Sequence, residues 1–300
     1  MYFNIESFKK QERPMKNNLY FILALILLSC QQGSTQLKTV FTFPKKLKEV
    51  SGITYDKATN TIWALEDKGN ANVIYALNAE GKLLKKITLD NAVNTDWEDI
   101  TKGKDGAIYI GDFGNNNNIR TDLSIYRVDQ KELKKSKARA TYQIQFSYPE
   151  QTEFPPKKSK MMFDVEGFFE FKNHFYLFTK NRSKIFDGTS LIYKIANKAG
   201  QQKAVLVGTF KTCSNYNHCA VTSAAISPNE KKIALLTHDK IILFENFKGD
   251  AFTQGKRRDI DLNHFSQKEA LVFKDNQTVL IADEKADKLG GKVYELSLKN

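Results

Sequence analysis

Thr95 to Val128 reads TDWEDITKGKDGAIYIGDFGNNNNIRTDLSIYRV, and with YQIQF at 142–146 it lays out four short apolar strands. DWEDIT leads in through acids, AIYIGDF ends in a polar cluster, SIYRV carries an aromatic, and YQIQF is plainer. Gly, Asn and Asp fill the breaks, as tight turns require. The same phrase recurs along the chain. Its leading strands are EVSGITY (49–55), DWEDITK (96–102), DVEGFFE (164–170), VTSAAIS (221–227) and KEALVF (268–273). Second strands TIWALED, HFYLFTK, IALLTHD and TVLIADE, and third strands VIYAL, LIYKI, IILFE and KVYEL, follow in register with the quoted unit. Fourth strands KKITL, AVLVGTF and RRDIDL complete all units but the last, and LKTVFTF (37–43), ahead of the first unit, has the alternation to supply the missing one. Four strands per unit at a period of roughly 40 to 55 residues predict an all-β chain, a β-propeller of four-stranded blades. Five repeats are counted and the ring is closed by the N-terminal strand. A sixth blade would have to come from Pro149–Met162, which reads as an irregular loop.

The first strand of a propeller blade lines the central channel, so aligned strand starts converge. The alignment superposes Ser51, Glu98, Glu166, Ser223 and Glu269. Fourteen or fifteen residues on stand Glu66, Asp112, Lys180, His238 and Asp283, one strand and a hairpin later, which should return them to the same end. The expected mouth carries these residues with Asp67, Arg182 and Glu284 around an inner ring of glutamates. Converging carboxylates repel, so the pattern requires a bound cation, raised pKa values or ion pairs with Lys180 and Arg182. Hard oxygen donors suit calcium or magnesium, of which calcium is the expected ion. The alternative is that the strand-leading acids accept hydrogen bonds from neighbouring blades. In the quoted unit, Asp96, Glu98 and Asp99 surround Trp97, and the Gly/Asn loop from Gly111 to Asn118 tolerates unusual backbone angles and presents carbonyls. The metal candidates are therefore Asp96, Glu98, Asp99, Glu166, Glu269 and Asp283. Trp97, Asp112, Asn115, Arg120, Lys180, Arg182 and His238 are the ligand-binding candidates, with Trp97 either a stacking face for a sugar or a core residue.

The chain of 300 residues is 41% hydrophobic and 12% aromatic, enough for one large β domain, 37–300. Ahead of it, Leu19–Leu28 (LYFILALILL) is too short to span a bilayer and fits the apolar region of a signal peptide over residues 1–29, with Met15 the better start. LLSC at 27–30 resembles a bacterial lipobox, which implies a lipidated Cys30, a tether over 30–36, and a membrane anchor at the cell envelope through several acyl chains; the alternative is a cleaved signal with an incidental cysteine. The other two of three cysteines, Cys213 and Cys219 in CSNYNHC, then form a local disulfide in an oxidising compartment. The alternative, a metal site with His218, lacks zinc spacing. The formal charge of +12 is spread over strand-edge lysines, with KKLK (45–48) and KKSK (157–160) the densest runs, so no nucleic-acid partner is expected.

The stretch with DWED, GDFGNN and IYR, joined by DVEGFF, FTKNR and LIYKI, resembles a family of secreted bacterial propellers, some of them labelled PE-PGRS. More loosely it resembles SdiA-regulated, NHL-type and phytase-like propellers, over about residues 37–298. The resemblance implies a calcium-assisted or ligand-binding propeller. Ser223, Ala224 and Ala225 stand where the other units have glutamate and glycine, a departure from a full acidic ring. The leading expectation is a lipid-anchored propeller that binds a divalent cation and a small polar, glycan or anionic ligand. A metal-dependent hydrolase of phytase-like or gluconolactonase-like type, and a scaffold for a protein partner, are the alternatives. No nucleophile elbow or zinc motif is present.

Overall fold

The inner strands of this chain are dense in Ile, Val, Leu, Phe and Tyr and are buried on both faces, whereas outer ones such as Val205–Lys211 are mostly exposed. Thr61–Glu66, Val73–Leu77 and Ile108–Asp112 have no exposed residue. Such strands demand a sheet packed against both of its neighbours, which a ring of blades provides. The computed structural model describes residues 1–2, 37–286 and 289–299. The expected signal peptide from residue 3 on, the expected lipidated Cys30 and the expected tether therefore lie outside the described residues. Among the described residues, no helix is long and apolar enough to cross a membrane.

Five antiparallel blades make the ring. From the channel outward they are Val50–Asp56, Thr61–Glu66, Val73–Leu77 and Leu83–Leu89; Trp97–Lys102, Ile108–Asp112, Ser124–Val128 and Tyr142–Ser147; Asp164–Phe171, His174–Lys180, Thr189–Ala196 and Val205–Lys211; Ser223–Ile226, Lys232–Leu236, Lys240–Glu245 and Lys256–Asp261; and Lys268–Phe273, Thr278–Asp283, Lys292–Ser297 and Lys38–Thr42. The last pairing closes the ring as expected, with Lys38 opposite Glu295 and Thr42 opposite Lys292. Each interface between successive blades holds its own apolar cluster, including the one between the fifth blade and the first. Four further short strands were not legible as repeats; two of them, Lys285–Ala286 and Leu289–Gly290, pair with each other, and the other two extend blades. Lys137–Ala138 adds in parallel to the outer edge of blade 1, and Gly200–Lys203 adds to that of blade 2. Each comes from the third-to-fourth strand connection of the following blade, so the connections cover edges that would otherwise be open.

Two details of the inner strands position the site. Register slips by one residue at Ser51, Glu98, Glu166 and Glu269, between Val50 and Gly52, Trp97 and Asp99, Val165 and Gly167, and Lys268 and Ala270. Each of these residues is the extra member of a β-bulge, a device that re-aims a side chain. Just below them the blades meet backbone to backbone. A Cβ on Gly52 would fall 2.8 Å from Ile100 N, and one on Gly167 2.3 Å from Ala224 N. These approaches place Ser223 opposite Gly167 as Asp99 is placed opposite Gly52, so Ser223 corresponds to Asp99 and the fourth-blade counterpart of Glu98 is Thr222. The alignment by sequence is thus one residue off in blade 4, because Ser-Ala there imitates the Ser-Gly of blade 1.

Candidate functional site

At the bulged ends of the inner strands the channel opens into a mouth of roughly 250 Å³. Ser51, Glu98, Glu166 and Glu269 line its floor; Asp67, Asn116, Lys180, Arg182, Tyr216, His238, Gln267 and Glu284 complete its wall. The three glutamates aligned by sequence do converge.

Charge in the mouth is unevenly compensated. Arg182 is spent, donating from Nε to Asp164 Oδ2 at 2.5 Å, from Nη2 to Glu166 Oε1 at 2.6 Å and from Nη1 to the Tyr216 hydroxyl at 2.6 Å. Lys180 Nζ stands 3.2 Å from Glu166 Oε1. Burial opposes charge on Lys180, but Glu166 and Glu269 override it and raise its pKa. His238 Nε2 is 3.4 Å from Glu269 Oε1. Burial works against ionisation of Glu269, yet Lys180 and His238 more than offset it and its pKa is lowered. Glu98 differs from all of these. It is 7% exposed and has no hydrogen-bond donor or cation bonded to it among the described residues. Burial, then the nearness of Glu166, Asp67, Asp164 and Asp96, pushes its pKa well up. Burial also raises Asp67 to about 7, Glu166 to about 8 and Glu284 to about 8.

Two carboxylate triads meet at Glu98: Asp67, Asp96 and Glu98, and Glu98, Asp164 and Glu166. In each, one oxygen per residue lies within 4.8 Å of the others. Arg182 already neutralises the second. The first has only Lys68, whose Nζ reaches Asp96 Oδ1 at 3.1 Å from a side chain that is 47% exposed. Gly114 makes the room: a Cβ there would sit 2.2 Å from Glu98 Oε1 and 2.5 Å from Asp96 Cγ. That is the local reason for glycine in GDFGNN.

Several residues singled out by sequence stand outside this mouth because their polar atoms are used elsewhere. Asp99 is buried and accepts from Ile100 N and Phe168 N at 2.8 and 3.1 Å, joining blades 2 and 3. Ser223 Oγ likewise accepts from Leu271 N at 3.1 Å, joining blades 4 and 5. Asp283 accepts from Lys292 N and the Tyr294 hydroxyl, both at 2.8 Å. Asp112 takes Asp96 N and Arg120 Nη2, each at 3.0 Å. Arg120 is further held by Asp122 and the Gly114 carbonyl, and Asn115 by Phe163 O and Arg120 N. Trp97 is fully buried with Nε1 donating to Val93 O, so it is core and not a stacking face. Glu66 accepts from Lys48 N. Asp164, Asn116, Tyr216 and Gln267 were missed. Asp164 had a signal, since DVE at 164–166 repeats the DWE of 96–98; Tyr216 had none, because it lies in the Cys213–Cys219 loop outside the repeat. That disulfide is formed.

The family model described as SdiA-regulated matches residues 35–153, the closing strand and the first two blades. No curated protein matches the chain. Among solved structures, the β-propeller domain of Myceliophteria thermophila Cps50 (Swd1) is 9% identical. The match covers 88% of this chain and 100% of that one, with a TM-score of 0.47. Kuenenia stuttgartiensis hydrazine synthase is 13% identical, with 81% of this chain and 58% of that one covered and a TM-score of 0.41.

Proposed function

We propose that this chain is a binding propeller whose channel mouth holds calcium through Asp67, Asp96 and Glu98, with the remaining mouth receiving a small polar ligand. The observation that carries the reading is Glu98: a buried carboxylate to which no donor or cation is bonded among the described residues, aimed by a bulge into a water-accessible mouth beside two further carboxylates. Ligand oxygens around a calcium ion at 2.3–2.6 Å stand at most about 5 Å apart. The 4.8 Å limit on the Asp67, Asp96 and Glu98 oxygens agrees with that spacing. Asn116 Oδ1, buried and unpartnered, supplies a neutral oxygen in the same mouth. Oxygen-only donors in an irregular arrangement favour calcium over magnesium, which requires a near-ideal octahedron.

The lipobox-like LLSC extends the proposal to placement: Cys30 carries acyl chains and holds the propeller at the cell envelope. Isothermal titration with calcium tests the ion, with one site expected in the wild type and none in Glu98→Gln. An unchanged isotherm in the variant sinks this assignment.

A further inference from the structure

Between Cys213 and Cys219 the chain leaves the third blade, makes one helical turn, Tyr216–Cys219, and enters the fourth. This closed loop is a wall of the mouth. At one end the Tyr216 hydroxyl takes Arg182 Nη1 at 2.6 Å, and its ring meets Phe186 edge-on at 5.3 Å. At the other end His218 Nδ1 bonds Asp239 Oδ2 and its ring lies 5.2 Å from Phe265, which in turn meets His238 at 5.8 Å. The loop thus spans from the arginine that neutralises Asp164 and Glu166 to the histidine beside Glu269. Cys213 is exposed.

We propose that the Cys213–Cys219 loop is a redox-sensitive strap and that Tyr216, which it presents, is a positioning residue for the cation site. The inference rests on the calcium reading above. With the bridge closed, Tyr216 gives the third donor group of Arg182 a partner and holds the guanidinium on Asp164 and Glu166, away from Glu98. An external dithiol opens the strap. Its first thiolate attacks one bridge sulfur and releases the other cysteine, its second thiolate attacks the reductant sulfur of that mixed disulfide and releases the remaining cysteine, and the reductant leaves as its own disulfide with both cysteines as thiols. Tyr216 then keeps only its ring contact with Phe186, and Arg182, still paired with Asp164 and Glu166, has Nη1 left to share with Glu98, the neighbouring carboxylate to which no cation is bonded among the described residues. An arginine on Glu98 competes with calcium.

A hydrogen bond to a charged group contributes enough to move an equilibrium by about tenfold or more. Calcium affinity, titrated on the full chain, should therefore fall about tenfold on reduction with dithiothreitol, provided thiol labelling confirms that the bridge has opened. Tyr216→Phe should show the weaker affinity while oxidised and lose nothing more on reduction. The double variant Cys213→Ser, Cys219→Ser should match the reduced wild type. Equal affinity in both redox states overturns the proposal. If neither state binds calcium, the cation reading itself fails. The strap is then judged by hydrogen exchange at residues 213–222: exchange unchanged by reduction overturns it, and faster exchange that Tyr216→Phe reproduces supports it.

Discussion

Replacing Glu98 with Gln should stabilise the calcium-free protein at alkaline pH and remove its response to calcium. Like charges whose oxygens stand within 4.8 Å repel by about 3.5 kcal/mol at an effective dielectric constant of about 20. The folded chain avoids this by keeping a proton on Glu98, whose pKa burial and four neighbouring acids push well up. Unfolded, the same carboxyl ionises near the ordinary glutamate value of about 4.5. The folded state therefore binds more protons above that pH, and stability falls as pH rises until the raised pKa is passed. Glutamine does not titrate and escapes the loss. After relaxation and solvent screening, Glu98→Gln should match the wild type near pH 5 and exceed it by about 2 kcal/mol near pH 9. In a domain of this size that is a rise of about 4 °C in Tm. Calcium at one hundred times Kd should add about 2.7 kcal/mol to the wild type and close to nothing to the variant. Scanning calorimetry at both pH values, with chelator and then with calcium, reads all of this. A variant that is less stable than wild type without calcium, or that keeps the full calcium response, refutes the reasoning, because Glu98 would then be an acceptor that the fold needs.

Gly114→Ala should cut calcium affinity by at least tenfold with little change in circular dichroism, because its methyl group would displace Glu98 and Asp96 and leave the core alone; a normal isotherm would count against the cradle. Gly167→Ala should cost about 3 kcal/mol or more in urea unfolding, since the added carbon meets the backbone of Ser223 and Ala224 at 2.3–2.7 Å and neither strand can retreat without opening the ring. Phe43→Ala, which empties a buried position just after the closing strand, should cost about 3 kcal/mol in the same assay; a cost within about 0.5 kcal/mol, typical of surface sites, would mean that the N-terminal strand does not hold the ring.

The five-blade ring and its closure were legible because the repeat writes each blade in the same order and the alternation of Leu37–Phe43 has nowhere else to pair. Convergence of Glu98, Glu166 and Glu269 followed from the same repeat. What the repeat could not convey is the aim of individual side chains. A bulge turns Glu98 into the mouth and leaves Asp99, one residue on, beneath it among backbone amides, yet in sequence the two acids look alike. In three second strands, Glu66, Asp112 and Asp283 turn to local donors, and the mouth receives Asp67 and Glu284 instead. Blade 4 was aligned one residue off because small residues carry little positional information. Tyr216 and Asn116 sit in loops, where no periodicity constrains the reading.

The most direct test is anomalous diffraction from crystals of the protein grown with calcium. The account predicts a calcium peak in the channel mouth, about 2.3–2.6 Å from carboxylate oxygens of Asp67, Asp96 and Glu98. A mouth without a peak, or a peak bound only elsewhere on the protein, would contradict it.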